Sequence, residues 1–137
     1  MCGLYFYPSD LQINDDHFKK LLIHRGPDYQ NSLQKKKFII GHNLLSIRGE
    51  LKQSIQPLNI NNKYIISFNG EIYNTEDIIN KFNLDKSPND TNVIQQLVKK
   101  IGKNFIDHIE GMYAIILFDI DNDEVSIFRD HSGQKNI

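Results

Sequence analysis

The feature that most constrains the fold is the apolar run from Met112 to Phe118, which leaves no room for a polar face. A strand of this kind is buried on both sides, so a layer of structure must cover each face of its sheet. After a polar turn over residues 119–124, Val125–Arg129 is predicted to return as its hairpin partner. The sequence therefore predicts a layered fold with this strand in its interior.

The rest of the chain is predicted to form short strands and amphipathic helices. The expected elements are strands at Cys2–Tyr7, Phe38–Leu45 and Tyr64–Phe68, and helices at about Asp15–His24, from Asn74 or Thr75 to Phe82, from Ser87–Asp90 to Gly102, and around Phe105–Ile109. These follow from apolar spacing, capping residues and terminating glycines. The order β-α-ββ-αα-ββ, with no repeat or linker, predicts a single domain of the α+β class.

Composition narrows the classes of function. The chain has 137 residues and a formal net charge of −1, so a polyanion such as nucleic acid is not expected as its main partner. The Lys35–Lys37 run is predicted to be a solvated turn. One cysteine cannot form an internal disulfide, and no apolar segment is long enough for a signal peptide or a membrane span. We expect a reducing, cytoplasmic location.

That single cysteine, Cys2, follows the initiator methionine directly. Removal of Met1 would leave a thiol and a free α-amine on the same residue, which is the arrangement of an N-terminal nucleophile. An α-amine with a pKa of about 7.7–8.0 is a competent general base for that thiol. The structural alternative is that Cys2 is a small apolar residue that begins a strand.

Five further motifs follow the N-terminal Met-Cys-Gly. They are Arg25-Gly26-Pro27-Asp28, Asn69-Gly70-Glu71-Ile72-Tyr73-Asn74, Asp90-Thr91, Gly111-Met112-Tyr113-Ala114 and Arg129-Asp130-His131-Ser132-Gly133. In this order and at these spacings they resemble the class II glutamine amidotransferase domain, as in the N-terminal half of glutamine-hydrolysing asparagine synthetases. The resemblance covers nearly the whole chain and implies the four-layer αββα sandwich of the N-terminal-nucleophile hydrolases.

The family continues past Arg129-Asp130-x-x-Gly-x-Lys into further strands. We therefore expect residues 1–137 to form a single, partial amidotransferase domain that lacks some terminal strands and carries no synthetase domain.

The resemblance also implies the roles of individual residues. Cys2 attacks the glutamine side-chain amide, while the Asn69 side chain and the Gly70 N–H donate to the tetrahedral oxyanion. Glu71 lines the glutamine site, and Asp90 contacts the substrate α-ammonium.

Local chemistry also allows a purely structural role for several of these residues. Asn69-Gly70 is among the commonest hairpin turns, and Asp90 is a good helix N-cap. The segment His24–Asp28 has the composition of a helix end followed by a turn, although the resemblance places Arg25 beside the nucleophile.

One position departs from the family pattern. Leu44 stands where asparagine synthetases have an arginine that pairs with the glutamine α-carboxylate, and leucine cannot replace that bidentate contact. Arg48 is the nearest cation, and with Ile47 it lies in the part of the family segment that lines the pocket. We hold as a hypothesis that Arg48 supplies the missing charge; the alternative is a surface residue.

The resemblance thus predicts hydrolysis of glutamine to glutamate and ammonia, with the ammonia destined for a synthetase-type partner. The expected protein partner is a synthetase-domain protein or, in a homo-oligomer, a second copy of this chain. The alternative is a non-catalytic remnant or interaction module that keeps the fold. No cofactor is expected in this chain, because the pyrophosphate loop of the synthetase half is absent and ATP and magnesium would belong to the partner. No metal site is expected, since Glu124 replaces the glycine that the calcium-loop-like Asp119–Asp123 would need.

Overall fold

The structure is a computed structural model that describes residues 1–46, 51–87 and 89–136. It contains two antiparallel sheets, one of four strands and one of three. Helices lie between the strands in the chain; most of them cover the four-stranded sheet, and the first packs on the three-stranded sheet.

The four-stranded sheet has the order β4-β5-β6-β7. Its strands are β4 (Leu58–Ile60), β5 (Tyr64–Ile72), β6 (Gly111–Asp119) and β7 (Glu124–Arg129). The two long central strands pair along their full length, from Tyr64 opposite Asp119 to Ile72 opposite Gly111. Residues 114–118 of β6 are buried, which confirms the prediction of a strand covered on both faces.

Alternate residues of β5 and β6 enter two different apolar clusters. Ile66 and Leu117 pack against the helices on one face, whereas Ile65 and Ile116 pack against the three-stranded sheet on the other. Because successive strand residues point to opposite faces, a purely apolar strand contributes buried side chains to both clusters.

The three-stranded sheet has the order β1-β3-β2. Its strands are β1 (Gly3–Pro8), β2 (Tyr29–Lys35) and β3 (Phe38–Leu44). Strand β1 therefore lies at the edge of its sheet, and its first residues contact β5 of the other sheet. This packing carries the N-terminus to the four-stranded sheet.

The helical segments are short. They are α1 (Asp15–Leu21), α2 (Leu51–Ser54), α3 (Thr75–Phe82) and α4 (Asp90–Ile101), and a 3₁₀ helix (Gly102–His108) follows α4 directly. Helix α4 buries Val93, Ile94, Leu97 and Val98 on one stripe, as its apolar spacing predicts. In residues 1–46, 51–87 and 89–136, no helix has the length and apolar character that spanning a bilayer requires.

Several boundaries differ from the sequence predictions. The first helix ends at Leu21 rather than His24, and the strands at 29–35 and 58–60 were not predicted. The former lies at a sheet edge and has the polar sequence YQNSLQK, so it carries neither an apolar run nor a clean alternation. The lysine run at 35–37 does form the turn between β2 and β3, as predicted.

Two of the purely structural roles considered in the sequence analysis are wrong. Asn69 and Gly70 pair with Ala114 and Tyr113 inside β5, so they do not form a hairpin turn. Asn89, not Asp90, is the N-cap of α4, since its side chain accepts a hydrogen bond from the Asn92 N–H at 3.0 Å.

The first prediction concerns Gly41, which is buried opposite Tyr5 in the β1–β3 pair. A Cβ at Gly41 would lie 1.9 Å from the Tyr5 ring, and that ring is held by a 2.9 Å hydrogen bond from its hydroxyl to Asp15. We expect Gly41→Ala to lower the free energy of unfolding by about 1–3 kcal/mol because the ring must shift. Urea denaturation measures the change.

The control is Gln34→Ala, an exposed position on β2 of the same sheet, which should change stability by less than about 0.5 kcal/mol. Equal stabilities for the Gly41 variant and the wild type would contradict the close ring packing.

Candidate active site

The predicted nucleophile Cys2 lies immediately before β1 and is half-buried. Its backbone N–H donates to Asn69 Oδ1 across the two sheets, with an N···O distance of 3.1 Å. The thiol lies 3.9 Å from the Leu45 carbonyl and accepts from the Leu45 N–H at 3.5 Å. Three strands therefore fix the position of this residue: the start of β1, the end of β3 and the interior of β5.

Asn69 has an unusual hydrogen-bonding state. It is only 4% exposed, and its Oδ1 is engaged by the Cys2 N–H, but its Nδ2 has no hydrogen-bond partner among residues 1–46, 51–87 and 89–136. A buried amide donor without an acceptor costs free energy, so such groups are rare and commonly functional. This donor is available to an oxygen atom that enters beside Cys2.

The direction of the Gly70 N–H follows from the hydrogen bonds of its neighbours on β5. Backbone groups of a strand point alternately to its two neighbours. The N–H of Phe68 donates to Gln56 at 2.7 Å and that of Ile72 to Asp90 at 2.8 Å, both on the side away from β6. Gly70 lies midway between them, so its N–H also faces away from β6.

Gly70 also fits this place for a steric reason. A Cβ there would lie 2.1 Å from the Met112 carbonyl oxygen, so a larger residue would push β5 and β6 apart.

Cys2, Asn69 and Gly70 line a cavity of about 270 Å³. This is just below the range of pockets that hold drug-sized ligands and suits a smaller, polar molecule. Glu71, Asp90 and Leu44 also line it, so the structure brings these predicted residues together. Leu44 is 4% exposed and offers no charge. Ile47 and Arg48 lie outside the described residues.

Arg25 contacts the nucleophile's main chain rather than the cavity. Its Nε donates to the Cys2 carbonyl at 3.2 Å. The neighbouring Gly26 packs so tightly on β3 that a Cβ would lie 2.1 Å from the Asn43 carbonyl oxygen. The turn after α1 thus brings Arg25 against Cys2, just before β1, at the place that the resemblance predicted.

Lys135 is the one basic residue that lines the cavity in the described part of the chain. Its backbone is fixed at both ends. The Lys135 N–H donates to Asp130 at 3.0 Å, and Arg129 Nε donates to the Lys135 carbonyl at 2.7 Å.

Asp130 organises this turn. Its carboxylate also accepts from the Gln134 N–H at 2.8 Å and from the Tyr113 N–H at 3.3 Å. Burial alone raises the pKa of Asp130, but the three backbone N–H donors outweigh it and lower that pKa below its usual value.

Opposing effects act on the thiol. Burial is the largest and raises the pKa of Cys2 above its usual value. The Leu45 N–H, the N-terminal amine, Lys135 and Arg25 each lower it in part. The thiol is therefore protonated at neutral pH unless a base takes its proton, and the surrounding positive charge then stabilises the thiolate.

Sequence reasoning missed Gln56 and Lys135 as parts of this site. Gln56 lies between the predicted strands Phe38–Leu45 and Tyr64–Phe68, and nothing in its local pattern marks a buried residue, although it is only 3% exposed. Lys135 ends the quoted motif Arg129-Asp130-x-x-Gly-x-Lys, and that spacing was the available signal. The described part of the chain holds no group of three or more His, Cys, Asp or Glu side chains arranged for a metal ion.

The second prediction follows from the charge of Lys135. In Lys135→Met the thiolate of Cys2 loses a stabilising cation, so we expect the thiol pKa to rise and alkylation by iodoacetamide at pH 7 to slow. The pH dependence of the alkylation rate measures the pKa.

Lys99→Met is the matched control, since Lys99 is exposed and lies nine residues along α4 from Asp90, about 14 Å away. If the pH midpoint of the Cys2 alkylation rate is the same in Lys135→Met as in Lys99→Met, that result would contradict the proximity of the Lys135 ammonium to the Cys2 thiol.

Comparison with known proteins identifies the family. A family model described as a glutamine amidotransferase domain matches residues 1–137. Asparagine synthetase B [glutamine-hydrolyzing] of Escherichia coli is 33% identical over 118 residues, which are 83% of this chain and 21% of that protein. A probable asparagine synthetase [glutamine-hydrolyzing] of Schizosaccharomyces pombe is 33% identical over 85% of this chain and 22% of its own length.

The asparagine synthetase [glutamine-hydrolyzing] of Brassica oleracea is 31% identical over 97% of this chain and 24% of its own length. The chain thus spans between a fifth and a quarter of the length of these three relatives. The family model covers every residue, and the cavity lies where the family's motifs meet. The chain belongs to the glutamine amidotransferase domain family.

Proposed function

We propose that this chain hydrolyses glutamine to glutamate and ammonia through a thioester on Cys2. The observation that carries the proposal is the pairing of Cys2 with Asn69: the Asn69 amide oxygen holds the Cys2 nitrogen at 3.1 Å, while the amide nitrogen of the same side chain has no partner in the described part of the chain. Membership of the glutamine amidotransferase domain family supports the same substrate.

The reaction begins with removal of Met1, which turns the Cys2 nitrogen into an α-amine. Asn69 Oδ1 already accepts a hydrogen bond from this nitrogen and would hold the amine beside the thiol. The amine takes the thiol proton, a role for which an α-amine is a competent general base near neutral pH. Burial keeps the thiol protonated until this transfer, so no permanent thiolate is exposed to oxidants.

The Cys2 sulfur then attacks the side-chain carbonyl carbon of glutamine. The negative charge on the carbonyl oxygen is stabilised by Asn69 Nδ2 and the Gly70 N–H, both from residues that line the cavity with Cys2. The α-ammonium of Cys2 returns its proton to the leaving nitrogen, and ammonia departs as the C–N bond breaks. Water, activated by the same amine, hydrolyses the thioester and releases glutamate.

The charged groups of the cavity suit an α-amino acid. Asp90 and Glu71 supply negative charge for the substrate ammonium, and the Ile72 N–H fixes one oxygen of Asp90 at 2.8 Å. Leu44 cannot bind the α-carboxylate, so a cation from elsewhere must do so. Our hypothesis assigns this contact to Arg48.

The architecture supports the four-layer αββα arrangement of the N-terminal-nucleophile hydrolases. Helices α3 and α4 pack on one face of the four-stranded sheet, and the two sheets pack on each other. On the far side, Phe18 of α1 stacks on Tyr5 and Tyr7 of β1, with ring centroids 5.2 and 5.0 Å apart.

Ammonia needs an acceptor reaction to be useful. The relatives are named as asparagine synthetases, and the matched segment is about a fifth to a quarter of each. We therefore propose that the ammonia passes to a synthetase-type activity, which would bind ATP and magnesium itself.

The third prediction tests the nucleophile. A diazo-ketone analogue of glutamine should add once to the purified protein, after loss of Met1, and excess glutamine should block the reaction. Intact mass before and after exposure measures both events. Cys2→Ala should show neither the adduct nor glutaminase activity at pH 7–8.

Cys2→Ser keeps the size and hydrogen bonding of the side chain and serves as the matched variant, since its hydroxyl is a weaker nucleophile at this pH. Retained Met1, or a folded wild type without an adduct, would instead favour the non-catalytic interaction module.

The fourth prediction tests Arg48. If its guanidinium binds the substrate α-carboxylate, Arg48→Ala should raise the KM for glutamine about 10-fold or more while kcat changes less, since a charged hydrogen bond contributes about 1.5–3 kcal/mol. Steady-state kinetics with glutamine measure the split. Lys52→Ala, four residues further on, is the control, and an unchanged KM in Arg48→Ala would refute the hypothesis.

A further inference from the structure

The side chain of Gln56 pairs with the main chain of Phe68 in the way that a neighbouring strand would. Its Oε1 accepts from the Phe68 N–H at 2.7 Å, and its Nε2 donates to the Phe68 carbonyl at 3.1 Å. Gln56 is 3% exposed and Phe68 is 5% exposed. Both hydrogen bonds are therefore shielded from water, where they are stronger and more costly to lose.

The register of β4 on β5 explains why a side chain is needed here. Leu58 lies opposite Ile66, so an extended β4 would place residue 56 opposite residue 68. The strand begins only at Leu58, and main-chain pairing stops there. Gln56 satisfies the next pair of backbone groups on β5 with its amide.

His42 reinforces the same peptide group. Its Nε2 lies 3.2 Å from the Phe68 carbonyl, which can only accept a hydrogen bond, so Nε2 carries the proton. Burial lowers the pKa of His42 to about 4, and the ring is neutral at pH 7. The Phe68 carbonyl therefore accepts from two buried side chains.

The Phe68 carbonyl and the Asn69 N–H belong to one planar peptide group. Fixing that carbonyl fixes the direction in which the chain enters Asn69, and with it the place of the Asn69 amide. From this geometry we propose that Gln56 is a positioning residue, which acts through Phe68 to aim Asn69 Nδ2 at the reacting oxygen. The proposal rests on the proposed glutaminase function.

The chain offers a matched control for this arrangement. Gln96 on α4 makes the same two-point contact with a main-chain residue: its Oε1 accepts from the Asp85 N–H at 2.9 Å and its Nε2 donates to the Asp85 carbonyl at 3.2 Å. Neither Gln96 nor Asp85 lines the cavity of Cys2. Replacing Gln96 removes the same chemistry without touching Asn69.

The fifth prediction compares Gln56→Leu with Gln96→Leu. Gln56→Leu should lower kcat for glutamine hydrolysis roughly 10- to 100-fold with KM nearly unchanged, because a displaced donor costs transition-state stabilisation. Asn69→Ala, which removes the donor, should lower kcat about 10²–10³-fold and set the upper limit. Gln96→Leu should keep the kcat of the wild type.

Alkylation of Cys2 by iodoacetamide separates positioning from general damage, because that reaction forms no oxyanion. Its rate should be the same in Gln56→Leu and the wild type. Equal losses of kcat and of alkylation rate, or a kcat equal to that of Gln96→Leu, would overturn the proposal. If Gln56→Leu does not fold, Gln56→Met serves instead, since it keeps an unbranched side chain of similar length, loses both hydrogen bonds to Phe68 and adds no charge at the cavity.

A second measurement does not depend on activity. In ¹H–¹⁵N spectra of the whole chain, the Asn69 side-chain amide and the backbone amides of Asn69 and Gly70 should shift in Gln56→Leu and stay in place in Gln96→Leu. Shifted signals in a chain without glutaminase activity would leave the positioning role standing and refute the proposed function. Unshifted signals in an active chain would refute the positioning role alone.

Discussion

The site depends on strand β5 being held on three sides. Its residues alternate between two buried apolar clusters, one against the helices and one against the three-stranded sheet. Its main chain pairs with β6 along nine residues. The remaining side is paired with β4 only as far as Ile66, which lies opposite Leu58. Beyond it, side chains take the place of a strand: Gln56 bonds to Phe68, and Asp90 accepts from the Ile72 N–H. The strand is thus held rigidly where it passes the cavity.

The electrostatics of the cavity follow from where the chain places each charge. The thiol is held by burial in its neutral form, and the positive groups around it favour the thiolate without producing it outright. The carboxylates of Glu71 and Asp90 and the residue Lys135 line the same space. Asp130 holds the turn that carries Lys135 by accepting from three backbone N–H groups. A buried carboxylate satisfied in this way stabilises a turn as a helix cap stabilises a helix.

Much of the fold was accessible from local pattern. The apolar run at 112–118 predicted a doubly covered strand, and the stripe on α4 predicted its buried face; the structure confirms both. The polar edge strand β2 and the three-residue β4 were missed, because their pairing partners, rather than their own side chains, hold them in the sheet. Asn69-Gly70 looked like a turn for the same reason: local preference favours a hairpin, and pairing with β6 overrides it.

For the site, the sequence determined the chemistry, namely a cysteine that can become an N-terminal nucleophile, an amide donor, two carboxylates and a leucine in place of a cation. The order of the motifs along the chain was sufficient to predict these groups, because the reactivity of a side chain follows from its residue type. Only the tertiary structure decided which of them meet. The contact of Cys2 with Asn69 spans 67 residues, and the buried pairing of Gln56 with Phe68 arises where one strand stops short of another. Such contacts depend on how two sheets pack, and no local spacing encodes that distance.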